Sequence, residues 1–214
     1  MLNIHTRAAF SKALDPMGRR LAGAGVTPNA VTVAGTVGSV SAALVFFPMH
    51  DFFVGTLVIW AFVMFDLVDG AVARAGGTGS PFGGVLDSTC DRLADAAVFG
   101  ALAWYFGRHD QPWLLLAALL CLVIGSLTSY IRARAEAAGM NATVGIAERA
   151  ERLIVVLVGT GLDGLGVPFV LAAALWLLVA ASTITVGQRM VTVYRQSRDR
   201  TNPAPADPAQ TVRP

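Results

Sequence analysis

Six stretches of this chain read as membrane-crossing segments, and that limits what it can fold into. Crossing the hydrocarbon as a helix takes roughly 20 residues. The runs fall at about 29–48, 52–73, 84–106, 112–134, 152–168 and 169–193. Gly159, Gly161, Asp163 and Gly164 blur the end of the fifth. Of the 214 residues, 55% are hydrophobic and 14% charged, where a soluble domain has about a quarter charged. The expected fold is all-α and integral to the membrane, with six transmembrane helices and a polar cavity facing the cytoplasm.

The ends of the chain read differently. Residues 1–28 show no apolar core followed by a small-residue cleavage site, so no signal peptide is expected. Within 5–24, Phe10, Leu14, Met17 and Leu21 recur at helical spacing among Arg7, Lys12, Arg19 and Arg20. That pattern predicts an amphipathic helix lying in the membrane interface. Residues 1–200 form one membrane domain on this reading. The Pro- and Ala-rich tail, 201–214, is expected to be disordered.

Cations set the orientation, because loops rich in Arg and Lys stay in the cytoplasm. The N-terminal segment, Arg74, the Arg132–Arg134–Arg149–Arg152 group and the Arg189–Arg195–Arg198–Arg200 group fall on one side, Arg108 on the other. Both termini are therefore expected inside, with the plasma membrane as location. The net charge of +2 gives no footprint for nucleic acid. Cys90 and Cys121 both lie in apolar segments, which argues against a disulfide framework or a thiolate metal site.

Against this apolar background stand Asp66, Asp69, Asp87 and Asp91. One acidic side chain near the bilayer centre costs about 2.5–3.5 kcal/mol, so four together cost roughly 10 kcal/mol. Clustered carboxylates are most readily compensated by divalent cations. Residues three or four apart share a helix face, so Asp66 pairs with Asp69 and Asp87 with Asp91. The short A-G-G-T-G-S-P-F-G-G hairpin predicts that the two helices lie antiparallel and adjacent. Four hard oxygen ligands suit Mg²⁺ or Mn²⁺ and not zinc. Gly70 and Gly83 clear space for a substrate near the backbone, and Arg74 offers a guanidinium to a phosphate. Solvated helix ends, a di-iron bundle and an ion transporter are the competing readings. His5, His50 and His109 all lie away from the site, which disfavours the di-iron bundle.

The stretch from Asp66 to Asp91 reads D-x-x-D-G-x-x-A-R, eight residues, then G-x-x-x-D-x-x-x-D. It resembles the defining motif of the CDP-alcohol phosphotransferase family at every fixed position, Ala73 included. The resemblance implies that Asp66 and Asp87 bridge two Mg²⁺ ions, with Mn²⁺ as an alternative. Asp69 would hold one ion and Asp91 the other, and Asp91 would also be the general base. It implies that Asn29, Ala30, Val31 and Thr32, with Gly70, Ala73, Arg74, Ser80 and Gly83, bind CDP-diacylglycerol. It also implies a homodimer embedded in membrane lipid.

The acceptor alcohol is read from the arginines. Arg132, Arg152 and Arg189 sit near the cytoplasmic ends of three different spans and could converge on an acceptor bearing its own phosphate. Ordinary positive-inside anchoring is the competing explanation. Most of residues 7–195, notably S-Y-I-R-A-R-A-E-A-A-G and E-R-A-E-R-L-I-V-V-L, resembles the actinobacterial branch of the family that makes phosphatidylinositol phosphate. In that branch the acceptor is inositol 1-phosphate and the three arginines would hold its phosphate. A phosphatidylglycerophosphate synthase using glycerol 3-phosphate is the nearest rival. A non-catalytic membrane transporter or scaffold is the alternative of another class.

Overall fold

Prolines and small polar residues mark where the helices start. Thr27 caps α1 (Pro28–Phe46), its hydroxyl accepting from the Ala30 amide at 3.3 Å, with Pro28 in the first turn. A tight turn, in which the Asp51 amide donates to Phe46 O at 3.0 Å and His50 takes φ 67°, leads into α2 (Phe52–Val63). Ser80 caps α3 (Pro81–Arg108), accepting from the Gly83 amide at 3.0 Å. The P-F-G-G half of the expected hairpin is thus the first turn of this helix. Pro112 opens α4 (Pro112–Ala137), which is followed by α5 (Arg149–Gly164) and α6 (Val170–Thr201). The structure is a computed structural model describing residues 16, 18–64, 70–74 and 80–201, with no β-strand among them.

The helices pack in a closed circuit: α1 on α2, α2 on α5, α5 on α6, α6 on α4, α4 on α3 and α3 on α1. Small residues permit the close approaches. Gly38 of α1 faces the Phe62 ring of α2, and Gly159 of α5 faces Ala174 of α6. One core runs through the circuit, with Phe47, Phe52, Ile59, Leu102, Leu157 and Leu175 buried. Val37, Leu57, Trp113 and Leu177 point outward and exposed, which suits a surface facing lipid. Three helices, α1, α4 and residues Val170–Arg200 of α6, are long and apolar enough to cross a membrane, and α2 is a shorter apolar helix. The described residues are therefore helical without strands, and the protein is a membrane protein.

Several expected details change. The described part of the second span, α2, packs chiefly on α1 and α5, while α3 packs chiefly on α1 and α4. The expected adjacency of the second and third spans does not hold for α2, because the small-residue face of α1 (Gly35, Ser39, Ala42, Ala43) docks between them. Residues 65–69 and 75–79, on which the remainder of that expectation rests, lie outside the described residues. So do 1–15 and 17 of the expected interfacial helix, and residues 202–214 of the tail. Residues 18–23 are helical and pack on the protein: Gly18 meets the Ala71 backbone, and Leu21, Ala22 and Val26 gather around Val31 and Val72. The last helix runs past the expected residue 193 because polar side chains give its extension a partner. Gln196 clasps Asn141 through both backbone groups, at 2.9 and 2.5 Å, and Arg200 donates to Ala138 O and Gly139 O.

Candidate active site

The N-terminal half of α3, the C-terminal half of α4, the start of α5 and the middle of α6 enclose a cavity of about 660 Å³. Five arginines line it: Arg92, Arg132, Arg149, Arg152 and Arg189, with Asp91, Glu136 and Glu148 as the acids. So concentrated a positive lining, from four helices, is costly unless an anion enters or acids balance it. The three arginines singled out from the sequence all face this space. Arg132 is half exposed and pairs with Glu136 at 2.8 Å.

Arg152 is 2% exposed. Its Nη1 donates to Thr128 Oγ1 at 3.1 Å and Ala147 O at 3.3 Å, and its Nη2 meets Asp95 Oδ2 at 3.4 Å. Gly125 of α4 leaves the space the guanidinium needs, since a Cβ there would stand 3.1 Å from its Nε. Arg189, equally buried, donates from Nε to Val144 O at 2.8 Å and from Nη1 to Thr128 O at 2.5 Å. Its Nη2 is 3.9 Å from Glu148. Both guanidiniums are thus anchored by backbone and hydroxyl oxygens, and held in one orientation.

The α4–α5 connection delivers Glu148 to the cavity and is itself pinned. The Ile146 and Ala147 amides donate to Thr185 Oγ1 at 3.2 and 3.1 Å. Gly145, at φ 140°, lets the backbone pass against Thr185, where a side chain would collide. Glu148 and Arg149, which follow, therefore enter the cavity from a fixed strand of backbone.

Asp91 lies at the cavity, its carboxylate 2.7 Å from Arg149 Nη1 and 3.9 Å from Arg92 Nη2. Asp87, one turn earlier on α3, is exposed. Asp66 and Asp69 lie outside the described residues, and among the described residues no three His, Cys, Asp or Glu side chains cluster as a metal site. The donor set fits a hard divalent ion in chemistry, since Asp87 and Asp91 offer two carboxylates one turn apart; an ion at Asp91 would compete with its Arg149 partner.

The residues expected to hold the nucleotide fall into two groups. Asn29, Ser80 and Gly83 come together where α1 and α3 begin: a Cβ on Gly83 would lie 3.2 Å from Asn29 Oδ1 and 3.3 Å from Ser80 Oγ. Gly70 lies against its own neighbour, Arg74, whose Nη1 would be 3.4 Å from a Cβ there, and Ala73 is half-buried alongside. Ala30 is exposed, while Val31 and Thr32 are buried, Val31 against Val72, with the Thr32 hydroxyl donating back to Pro28 O at 3.2 Å.

Sequence reasoning gave no site role to Arg92, Arg149, Thr128 or Ser129. Arg92 donates to the Ser129 hydroxyl and lines the cavity beside it. Spacing held a usable signal: Arg149 precedes Arg152 by three residues and so shares its helix face. Cys90 and Cys121 are buried and free, as their apolar context implies.

Residues 25–194 match the family model described as CDP-alcohol phosphatidyltransferase. The phosphatidylinositol phosphate synthase of Mycobacterium marinum is 50% identical over 196 residues, covering 88% of this chain and 82% of the relative. That of Streptomyces avermitilis is 45% identical over 207 residues, covering 93% and 85%. Among solved structures, the Mycobacterium tuberculosis phosphatidylinositol phosphate synthase with CDP-DAG bound superimposes with a TM-score of 0.81 at 47% identity, covering 86% of this chain and 94% of that one. The same enzyme in complex with manganese and citrate gives 0.81 at 47% identity, covering 85% and 88%.

Proposed function

The chain belongs to the CDP-alcohol phosphatidyltransferase family, and on that premise we propose that it is a phosphatidylinositol-phosphate synthase. It transfers the phosphatidyl group of CDP-diacylglycerol to a hydroxyl of inositol 1-phosphate and releases CMP. The observation that carries the acceptor is the cavity in which Arg132, Arg152 and Arg189 converge beside Asp91. Relatives bearing that enzyme name, at 45–50% identity over most of both chains, support it.

The roles of the chain's own groups follow from chemistry. The buried guanidiniums of Arg152 and Arg189 receive the acceptor's phosphate, and Arg132 adds charge at the more open side. With that phosphate fixed, an inositol hydroxyl lies toward Asp91, which takes its proton. The hydroxyl oxygen bonds to the β-phosphorus as the bond from that phosphorus to the bridging oxygen breaks, and CMP leaves with the electron pair. A carboxylate is a weak base for an alcohol, so orientation by the arginines supplies much of the rate. Asn29, Ala30, Val31, Thr32, Gly70, Ala73, Arg74, Ser80 and Gly83 form the nucleotide side of the site, where absent side chains and the Arg74 guanidinium admit the pyrophosphate.

The family is metal-dependent, and a relative has been solved with manganese. Asp66, Asp69, Asp87 and Asp91 are the groups that hold divalent metal, two Mg²⁺ ions in this reading, with Mn²⁺ able to substitute. Metal held there would supply positive charge against the transferring phosphoryl group. Six helices then cross the plasma membrane, with the cavity and both termini cytoplasmic, as the distribution of arginines supports. Residues 1–200 act as a single domain, and the working unit is a homodimer.

One assay tests the acceptor. Purified protein with CDP-diacylglycerol and Mg²⁺ is offered inositol 1-phosphate, free inositol or glycerol 3-phosphate in parallel. CMP release with the first alone is the expected result. Preference for glycerol 3-phosphate would make it a phosphatidylglycerophosphate synthase, and no CMP with any acceptor would favour a transporter or scaffold.

A further inference from the structure

Asp95 lies one turn beyond Asp91 on α3 and is not part of the family motif read from the sequence. It is buried, with its side chain 10% exposed, and three guanidiniums surround it. Its Oδ2 is 3.4 Å from Arg152 Nη2 and 3.7 Å from Arg92 Nη2, and its Oδ1 is 3.6 Å from Arg149 Nε. Among the described residues it is the most buried acid in contact with the cavity's cations. Asp91 and Glu148 are more exposed, and Asp91 is needed at the reacting hydroxyl.

We propose that Asp95 is the positioning residue for the acceptor pocket, aiming Arg152 at the phosphomonoester of the acceptor. Like charges gathered in a poorly solvated space repel, and each would otherwise turn to the nearest carboxylate. The nearest alternative is Asp91, which already meets Arg149 at 2.7 Å. Asp95 takes the Nε edge of Arg149 and one Nη of Arg152, while Thr128 and Ala147 take the other Nη of Arg152. Arg152 is thereby fixed from both sides, and Asp91, already met by Arg149 and Arg92, is spared a third cation. Asp95 touches no substrate in this scheme and acts only through the arginines.

The inference rests on the proposed assignment of Arg152 to the acceptor phosphate, so its test measures both. Asp95→Asn, Arg152→Gln and the double variant are compared with the parent in the CMP-release assay, varying each substrate in turn. Inositol 1-phosphate affinity is also measured directly by calorimetry on the full-length protein. Asp95→Asn should raise the KM for inositol 1-phosphate by about 10- to 100-fold, the loss typical of a group that orients a binding residue. The KM for CDP-diacylglycerol should stay within about twofold, and the double variant should be no worse than Arg152→Gln alone, as expected for one coupled unit. If Arg152→Gln impairs the acceptor but Asp95→Asn does not, or impairs both substrates alike, Asp95 has no positioning role. If Arg152→Gln leaves the acceptor unaffected, the pocket assignment itself fails and this inference falls with it. Should Asp95→Asn not fold, Asp95→Glu keeps the charge but displaces it. An acceptor KM raised selectively in that variant supports the proposal, and an unchanged one overturns it.

Discussion

Replacing Arg189 by glutamine separates anchoring from ligand binding, because this guanidinium serves both ends of its fork. Its Nε and Nη1 satisfy Val144 O at 2.8 Å and Thr128 O at 2.5 Å, leaving Nη2 for the cavity. The shorter amide cannot reach both carbonyls. Hydrogen bonds from a charged donor contribute about 1.5–3 kcal/mol each, and the one to Val144 O is only partly buried, so losing both costs roughly 2–6 kcal/mol. Taking about 2–4 °C per kcal/mol for a chain of this size, the unfolding midpoint in detergent should fall by at least several degrees. A charge-assisted bond to the acceptor phosphate adds about 1.5–3 kcal/mol. At 1.4 kcal/mol per tenfold, its loss raises the KM for inositol 1-phosphate about 10- to 150-fold. Thermal unfolding and CMP release with either substrate varied are the assays. Arg189→Lys keeps the charge but not the fork and should fall between the two. A stable Arg189→Gln protein whose acceptor KM is unchanged, or whose two KM values rise equally, would refute the reasoning.

Further outcomes follow from the other parts of the site. Asp91→Asn should abolish transfer while leaving the unfolding midpoint within a few degrees, since shape is kept and only the carboxylate lost; turnover near the parent's removes Asp91 from the chemistry. Gly83→Val should raise the KM for CDP-diacylglycerol and spare the acceptor, because even a Cβ there meets Asn29 Oδ1 at 3.2 Å; an unchanged value would take Gly83 out of the nucleotide side. Chelation of divalent ions should stop CMP release, and added Mg²⁺ or Mn²⁺ should restore it. Activity that survives chelation would contradict the metal assignment.

Much of this architecture could be read from hydropathy, because a helix crossing lipid must be apolar along its length, and α1, α4 and α6 are. The helix ends were less legible. They depend on partners distant in sequence: Gln196 and Arg200 prolong α6 by bonding the end of α4 and the loop after it. For Phe52–Val63, packing order differs from what a hairpin between two consecutive spans suggests, since α1 docks between α2 and α3. Within the site, Arg132, Arg152 and Arg189 were visible as cations at the ends of separate spans. Arg149 and Arg92 looked the same as the many arginines that merely face cytoplasm, and only the meeting of α3 with α5 around Asp95 sets them apart. Asp95 itself extends the Asp87–Asp91 stripe by four residues, a signal of place that carried no indication of partner.

Diffraction from crystals grown with Mn²⁺, recorded at the manganese absorption edge, tests most directly whether the motif's carboxylates gather divalent ions beside the arginine cavity. Anomalous peaks within bonding distance of Asp87 and Asp91 oxygens, shared with Asp66 and Asp69, are the expected result. Well-ordered aspartates with no such peak, at manganese concentrations that sustain turnover, would contradict it.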